Sequence, residues 1–349
     1  MVLVVRDDAD VVDVQIAFHL NAGVDFVIAT DHSSTDGTAD ILESYARDGY
    51  VRRLSEQGDA RDDDWRASMA RLAVSEHGAD WVIDSDSDEF WMPRAESIKD
   101  ILVAIPPRYG IVQSLVRVFP PRPDDGTFFA DRMIVRRPLS NVRDDESKGR
   151  LDWALRPIHR ADPNMVVSRD RDVVLDGRVP LRAWYPVEVL RFPLRSLEQA
   201  ERRALQRSGP SEARSRIEQE LLEANALGAL RDRWTELIVD DDELERRVSD
   251  GSLVVDERLR DALGNLAQAA GGSETARRFA LPEHGSGHLL LRSSSVVEDV
   301  AYAGECAAVR EVDFEPLQDR ISELERRITG LESRLWPRVR RRLATLVGR

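Results

Sequence analysis

Short apolar runs alternate with amphipathic segments over the first 90 residues of the chain. The apolar runs predict four buried strands, at 2–5, 25–30, 50–54 and 81–83. The segments between them repeat their apolar positions every three or four residues and predict three helices, at 11–21, 36–47 and 65–77. Asp36 is the expected N-cap of the second helix. Strand–helix alternation of this kind favours a parallel sheet with helices on both faces, so the pattern predicts an α/β fold.

The pattern changes after about residue 108, where loops rich in Pro, Asp and Gly separate the apolar runs. These runs predict four further strands, at 111–119, 133–136, 165–167 and 187–192. We interpret them as the second half of the same sheet, which gives a first domain of residues 1–195. Residues 196–311, which are mostly helical in pattern up to about residue 270, are predicted to form a helical extension.

Residues 312–349 differ in character from the rest of the sequence. Six apolar residues alternate spacings of four and three, at Leu317, Ile321, Leu324, Ile328, Leu331 and Leu335. The spacing is typical of a coiled coil that joins copies of the chain through residues 317–335, or of one amphipathic helix packed on its own domain. The basic segment after Pro337 fits either peripheral contact with an anionic membrane surface or a solvated tail.

Composition narrows the classes of function. The 349 residues carry a net charge of −14, which argues against a nucleic-acid binder, whose surface would be basic. The single cysteine, Cys306, excludes an internal disulfide framework and a zinc site built from several thiolates. No apolar run reaches about 18 residues and the first residues lack the pattern of a secretory signal, so we expect a cytoplasmic protein. Contact of the tail with lipid would place it at the inner face of the membrane.

An acidic cluster follows the predicted strand at 81–83. Asp84, Asp86, Asp88 and Glu89 lie within six residues, where carboxylates repel one another unless a cation lies between them. Carboxylate oxygens favour magnesium or manganese over softer metals. Ligands of open α/β sheets bind at the carboxyl ends of strands, and Asp31 ends another predicted strand. The cluster therefore predicts a divalent-cation site, and a solvated acidic turn is the alternative.

Other metal chemistries can be compared with the same cluster. An EF-hand loop that began at Asp84 would need Gly at its sixth position and Glu at its twelfth, where the chain has Glu89 and Ala95. The EF-hand is therefore excluded. A metal-dependent phosphohydrolase or nucleotidyl transferase stays open as an alternative, although the first predicted strand ends in Arg6-Asp7-Asp8 and not in this cluster.

Two segments together resemble the family-two glycosyltransferases of the GT-A fold: DFVIATDHSSTDGTADIL and MARLAVSEHGADWVIDSDSDEFW. The resemblance is closest to a bacterial subgroup with an Asp-x-Asp-Glu-Phe metal motif, and VEVLRFPLRSLEQAERRAL is similar to it as well. It covers roughly residues 2–260 and implies a GT-A-like, Rossmann-type, mostly parallel sheet.

The resemblance also implies an activity. The expected reaction is metal-dependent transfer of a sugar from a nucleoside-diphosphate sugar to an acceptor hydroxyl, with inversion at the anomeric carbon. The expected acceptor is a glycan, a lipid-linked molecule or a small molecule, in glycan or cell-surface polysaccharide synthesis. A cation held by carboxylates suits this reaction, because negative charge grows on the departing diphosphate.

Individual residues match positions of the family. Asp86 and Asp88 match the Asp-x-Asp pair, which implies that they hold Mn²⁺ or Mg²⁺ against the donor diphosphate. The other implied donor-binding residues match the edges of the nucleotide site: Arg6, Asp8, Asp31, Ser34, Asp36 and Arg71. His19 is expected to have a structural role, and Trp91 is expected either to line the sugar pocket or to pack in the core.

The sequence departs from the family at two positions. Asp172 stands where members carry a histidine that ligates the metal, and Arg191 replaces a second histidine before Phe-Pro. Either Asp172 takes over the role of that ligand, or the geometry has shifted, or the activity is weakened. Asp145, in an acidic loop, is the candidate general base, and a solvated loop is the alternative. The departures keep open a non-catalytic nucleotide-binding or scaffold protein on the same fold.

Overall fold

The computed structural model describes residues 1–55, 62–94, 97–138, 155–162, 166–167, 173–174, 178–206, 216–271, 279–282, 302–304 and 306–307. The chain divides into two compact units, residues 1–295 and 296–349, and the elements below belong to the first. Two predicted site residues, Asp145 and Asp172, and the predicted heptad segment lie outside the described residues. No described helix has the length and apolar character needed to cross a membrane.

Nine of the described strands form one mixed sheet. They are β1 (Val2–Val5), β2 (Val27–Asp31), β3 (Val51–Ser55), β4 (Trp81–Asp86), β5 (Glu89–Pro93), β6 (Tyr109–Val118), β8 (Leu155–Arg160), β11 (Val179–Leu181) and β12 (Val187–Arg191). Their order is β3-β2-β1-β4-β8-β6-β12-β5, and β11 pairs with β6. The pairs from β3 to β4 are parallel, whereas β8 is antiparallel to both of its neighbours and β5 is antiparallel to β12.

Helices cover both faces of this sheet. The described helices of the first unit are α1 (Val12–Asn21), α2 (Thr38–Arg47), α3 (Asp62–Ser75), α4 (Ile98–Val103), α5 (Phe129–Arg132), α6 (Leu197–Gln206), α7 (Arg216–Ala226), α8 (Leu230–Leu237), α9 (Asp241–Ser249) and α10 (Arg258–Ala269). In β1, Leu3 packs into the core that contains α1, while Val2 packs against Met69 of α3. Successive side chains of a strand point to opposite faces, so α1 and α3 lie on opposite sides. This confirms the predicted α/β fold.

The predicted assignment of later strands to the main sheet is wrong at two places. β7 (Val135–Arg136) pairs with β13 (Val254–Val255), and β9 (Val166–Val167) pairs with β10 (Val173–Val174), each as a separate two-stranded sheet. The sheet is also mixed, so the expectation of a mostly parallel sheet is not confirmed. A short apolar run shows that a segment is buried, but its periodicity does not show which partner it pairs with.

Two boundaries differ from their predictions near the acidic and nucleotide-side segments. β4 extends through Asp86, although Asp is disfavoured in strands, because Asp84 and Asp86 are both paired with a buried arginine. The N-cap of α2 is Gly37 and not Asp36; its φ of 96° lies in the left-handed region that favours glycine. Asp36 still accepts a hydrogen bond from the first helical N–H, that of Thr38 (3.1 Å).

Candidate functional site

The loops that follow β1 and β2 are hydrogen-bonded to each other. The Asp7 N–H donates to Ser34 Oγ (3.0 Å), and the Ala9 N–H donates to Asp36 Oδ2 (3.0 Å). Asp31, the last residue of β2, accepts from the Ser34 N–H (3.0 Å). The structure therefore brings together Asp31, Ser34 and Asp36, which the sequence assigned to the donor site.

Asp8 lies at the inner end of the first loop and is buried. Its N–H donates to Thr38 Oγ1 (2.9 Å), and its carbonyl accepts from the N–H groups of Val11 and Val12 at the start of α1 (3.0 and 2.8 Å). The Arg6 side chain, by contrast, is exposed, and only the Arg6 N–H approaches Asp8 (3.3 Å to Oδ2). Backbone hydrogen bonds therefore fix the position of Asp8, whereas the side chain of Arg6 lies exposed at the surface.

A buried arginine of α3 pairs with two carboxylates of the acidic cluster. Arg66 forms ion pairs with Asp84 and with Asp86 Oδ1 (2.6 Å), and it donates to the Ser85 carbonyl (3.0 Å). The sequence predicted Arg71 for a donor-side role, but the structure places Arg71 on the exposed side of α3. Five residues correspond to about 140° around a helix, so only one of these two arginines can face the sheet.

Asp88 is a buried carboxylate whose oxygens accept no hydrogen bond from the part of the chain that the structure describes. Asp88 lies in the turn between β4 and β5 and is 1% exposed. Both Oδ1 and Oδ2 of its carboxylate are buried and unbonded within the described residues. Its nearest cations are Arg191 Nε, at 3.7 Å from Oδ2, and Arg203 Nη1, at 3.6 Å from Oδ2. Buried carboxylates are almost always hydrogen-bonded, so this one calls for a further partner.

Two further arginines join Asp88 to the loop after β1. Arg195 is buried and forms a bidentate pair with Asp10 (2.7 and 3.0 Å), and it lies 3.5 Å from Asp8. Arg203 of α6 approaches both Asp8 (3.8 Å) and Asp88. Sequence reasoning missed both arginines. All but two of the 50 basic residues are arginine, so no local excess of basic residues marked these positions.

The cluster contains one more carboxylate than guanidinium among the residues that the structure describes. It contains five carboxylates and four guanidiniums, namely Asp8, Asp10, Asp84, Asp86, Asp88, Arg66, Arg191, Arg195 and Arg203. Burial raises the pKa of Asp8, and Arg203 and Arg195 offset this only in part. Burial also raises the pKa of Asp88, but Arg191 and Arg203 outweigh it and leave that pKa below its ordinary value. Asp88 is therefore ionised at neutral pH.

A chain of hydrogen bonds fixes the turn that carries Asp88. The Trp91 N–H of β5 donates to His19 Nε2 (3.0 Å), and the Trp91 indole N–H donates to Ser85 Oγ of β4 (3.0 Å). His19 Nδ1 lies 2.7 Å from the Gln15 carbonyl, so the ring is neutral and donates there. Burial lowers the pKa of His19 to about 3. His19 is structural, as predicted, and Trp91 belongs to the core and does not line a sugar pocket.

The donor set at Asp88 fits a divalent cation that a ligand helps to hold. No group of three or more His, Cys, Asp or Glu side chains able to bind a metal occurs within the described parts of the chain. Mg²⁺ commonly uses one or two carboxylates and completes its shell with substrate phosphate oxygens. Asp88 matches that requirement, because it is ionised and accepts no hydrogen bond from the described residues. Asp86, the second candidate ligand, already pairs with Arg66 through Oδ1. Asp172, which the sequence offers as a possible replacement for the histidine ligand of the family, lies outside those residues.

Comparisons with known proteins show that part of the chain is similar to a family of glycosyltransferases. The model of glycosyltransferase family 92 matches residues 7–111, which include both loops, Arg66 and the acidic cluster. No curated protein matches the sequence. Among solved structures, S. aureus TarS is 13% identical over 65% of this chain and 42% of that chain, with a TM-score of 0.32. The UDP-GlcNAc complex of S. aureus TarS residues 1–349 is 13% identical over 68% and 72%, with a TM-score of 0.34.

Each of these matches covers only part of this chain or of the protein to which it is similar. The family match covers less than a third of the chain, and the chain spans less than half the length of the first TarS structure. Neither the predicted family-two subgroup nor the metal motif is confirmed by them. The match over residues 7–111 supports a glycosyltransferase.

Proposed function

We propose that this chain is a metal-dependent glycosyltransferase that transfers a sugar from a nucleoside-diphosphate sugar to an acceptor hydroxyl. The observation that carries the proposal is Asp88, a buried and ionised carboxylate with no hydrogen bond from the described residues. It lies among arginines at the end of a strand, in the segment similar to glycosyltransferase family 92. A cation together with phosphate oxygens would supply the missing partners.

Different residues of the chain would bind the cation, the diphosphate and the nucleoside. Asp86 and Asp88 would hold Mn²⁺ or Mg²⁺, which when bound supplies Lewis-acid stabilisation of the departing diphosphate. The side chain of Arg203 is 23% exposed, so a ligand can reach it, and guanidinium groups match phosphate oxygens well. The joined loops that contain Asp31, Ser34 and Asp36 would receive the nucleoside.

The general base and the class of acceptor are predicted from the sequence alone. Inversion requires a base that takes the proton of the attacking hydroxyl, and Asp145 is our candidate for it. The acceptor would be a glycan, a lipid-linked molecule or a small molecule with a free hydroxyl group. Binding of a nucleoside diphosphate without turnover of any donor would instead indicate the non-catalytic alternative.

Thermal stability with a panel of nucleoside diphosphates tests the donor site. A ligand at 100 times its dissociation constant stabilises the folded state by about 2.7 kcal/mol, which gives a clear shift in Tm. We expect one diphosphate to raise Tm only with Mn²⁺, and Asp88→Asn to abolish that shift. Asp242→Asn, an exposed substitution on α9, is the matched control and should keep the shift. Equal shifts in Asp88→Asn and the parent protein would exclude Asp88 from the site.

A further inference from the structure

Two arginines from different elements approach the same oxygen of Asp88. Arg191 ends β12, Arg203 lies in α6, and each has one nitrogen within 3.7 Å of Asp88 Oδ2. These separations are short enough for an ion pair but too long for a hydrogen bond. The arginines therefore balance the charge of Asp88 without occupying its lone pairs.

Arg203 differs from the neighbouring Arg195 in how accessible its side chain is. Arg195 is 2% exposed and has a bidentate pair with Asp10 that fixes its guanidinium plane. Arg203 donates to the Pro193 carbonyl (3.2 Å) and approaches two carboxylates, those of Asp8 (3.8 Å) and Asp88 (3.6 Å). Its side chain is also more exposed, at 23%. A ligand from solvent can therefore reach Arg203, whereas Arg195 is enclosed.

A divalent cation and these guanidiniums compete for one carboxylate. A cation bound at Asp88 would lie a few ångströms from Arg191 and Arg203, and like charges this close repel strongly in a buried site. A nucleoside diphosphate would bring negative charge to the same place and would offer oxygens that guanidinium groups bind well. The cation alone should therefore bind weakly, and the cation with a diphosphate should bind well.

We propose that Arg203, assisted by Arg191, balances the charge of Asp88 in the free protein and turns to the donor diphosphate when the cation binds to Asp88. The proposal rests on the proposed function and adds a positioning residue to it. It makes the binding of cation and diphosphate mutually favourable, since each removes the repulsion that opposes the other. Arg203 couples the two events, and its removal should uncouple them.

Calorimetric titration of the full chain tests this coupling. Mn²⁺ is titrated alone, and UDP, GDP and dTDP are titrated with and without Mn²⁺. Arg203→Gln should bind Mn²⁺ alone about threefold more tightly or better, because a competing cation is gone. It should bind the preferred diphosphate with Mn²⁺ about tenfold more weakly, because a charge-assisted contact is lost. Arg203→Lys should keep the weak binding of Mn²⁺ alone, because it retains the charge.

Arg202→Gln is the matched control, because Arg202 is the neighbouring residue of α6 and pairs with Glu198. It should leave both affinities unchanged within about twofold. Arg191→Gln is a second variant that should shift both affinities in the same directions as Arg203→Gln, so the test survives a folding defect in one of them.

The outcomes separate this inference from the proposed function. If the parent protein binds neither Mn²⁺ nor any diphosphate, both are overturned. If it binds a diphosphate with Mn²⁺ and Asp88→Asn does not, while Arg203→Gln behaves like Arg202→Gln, only the exchange of partners is overturned. Weaker binding of Mn²⁺ alone by Arg203→Gln would overturn it as well, since the arginine would then support the cation.

Discussion

Buried charge characterises the site at the scale of single residues. Arg66 is enclosed with Asp84 and Asp86, and Asp88 is enclosed with Arg191 and Arg203. Burial of ions costs free energy that their mutual attraction repays only in part, so such a cluster is not explained by stability alone. Perturbed and buried carboxylates gather at functional sites, which agrees with the role that we propose for Asp88.

Loss of Arg66 should destabilise the fold strongly. Arg66→Met would leave Asp84 and Asp86 buried without their cation, and we expect the free energy of unfolding in urea to fall by about 3–5 kcal/mol. Arg52→Met is the control, because Arg52 pairs with Glu76 at the surface and should contribute less than about 1 kcal/mol. Similar losses in the two variants would show that the buried ion pairs contribute no more to the free energy of unfolding than a surface pair does.

The buried His19 should make stability depend on pH. Its pKa of about 3 in the folded state lies below the ordinary value of 6.5, so between these values the unfolded chain binds a proton that the folded chain does not. Stability is therefore retained above about pH 6.5 and lost as the pH falls towards 3. From pH 6 to pH 4 the parent protein should lose up to about 1.4 kcal/mol per pH unit more than His19→Gln.

Denaturant unfolding over this pH range measures the difference. His77→Gln, at an exposed histidine, is the control and should follow the parent protein. Parallel pH profiles for His19→Gln and the parent protein would mean that His19 is accessible to protons in the folded state.

At this scale, the sequence predicts which residues lie together where their position along a strand decides it. Asp31, Ser34 and Asp36 follow the end of an apolar strand, and the structure brings them together. The sequence did not identify Arg66 and Arg203. Which arginine faces the acidic cluster depends on the rotation of α3 about its axis and on the docking of α6. Neither of these is encoded in a local pattern.

Among the elements, the joined loops after β1 and β2 define one side of the site. Thr38 at the start of α2 accepts the Asp8 N–H, so the first turn of that helix holds the loop after β1. Gly37 permits this geometry, because its φ of 96° is readily adopted only by glycine. The entry into α2 is thus linked to the position of Asp8.

A substitution at Gly37 should be costly through its backbone alone. No atom lies within 4 Å of the Cβ that alanine would add at Gly37, so the expected loss of about 1–2 kcal/mol is the cost of a left-handed conformation. Gly264 in α10 also has open space, but its φ is ordinary, and Gly264→Ala should stabilise by up to about 1 kcal/mol. Thermal unfolding of both variants compares them. A gain in stability for Gly37→Ala would contradict the assigned conformation.

The elements of the first 90 residues were largely predictable, because their alternation is regular and each strand is a continuous apolar run. The strand β5 was not predicted, since it directly follows the acidic cluster and shows no separate apolar run. The antiparallel place of β8 between β4 and β6 depends on pairings over 40 residues and more, which periodicity does not reveal.

In the molecule as a whole, a late helix completes the core of the sheet domain. Leu259, Leu263 and Leu266 of α10 are buried in the same cluster as Phe18 of α1. Asn21 also donates to the carbonyl of Ala280 (2.9 Å). The predicted division at residue 195 falls inside the first compact unit, which extends to Ser295. The heptad segment at 317–335 and the basic tail stay predictions.

Truncation of α10 side chains should therefore affect the whole unit. Leu263→Ala should lower the free energy of unfolding by about 2–5 kcal/mol in one cooperative transition, because it opens a cavity in the shared core. Leu227→Ala, at a leucine that is 83% exposed, should change it by less than about 0.5 kcal/mol. Two separate transitions, with only one of them shifted, would support the predicted domain boundary.

Release of nucleoside diphosphate from nucleotide sugars tests whether Asp86 and Asp88 hold a cation for glycosyl transfer. Even without an acceptor, we expect slow release from one donor of a panel, which requires Mn²⁺ and stops with EDTA. Asp88→Asn should lower the rate about 100-fold or more, because the charge on the leaving group would lose its stabilisation. Release at the same rate by Asp88→Asn, or no release from any donor by the parent protein, would contradict the account.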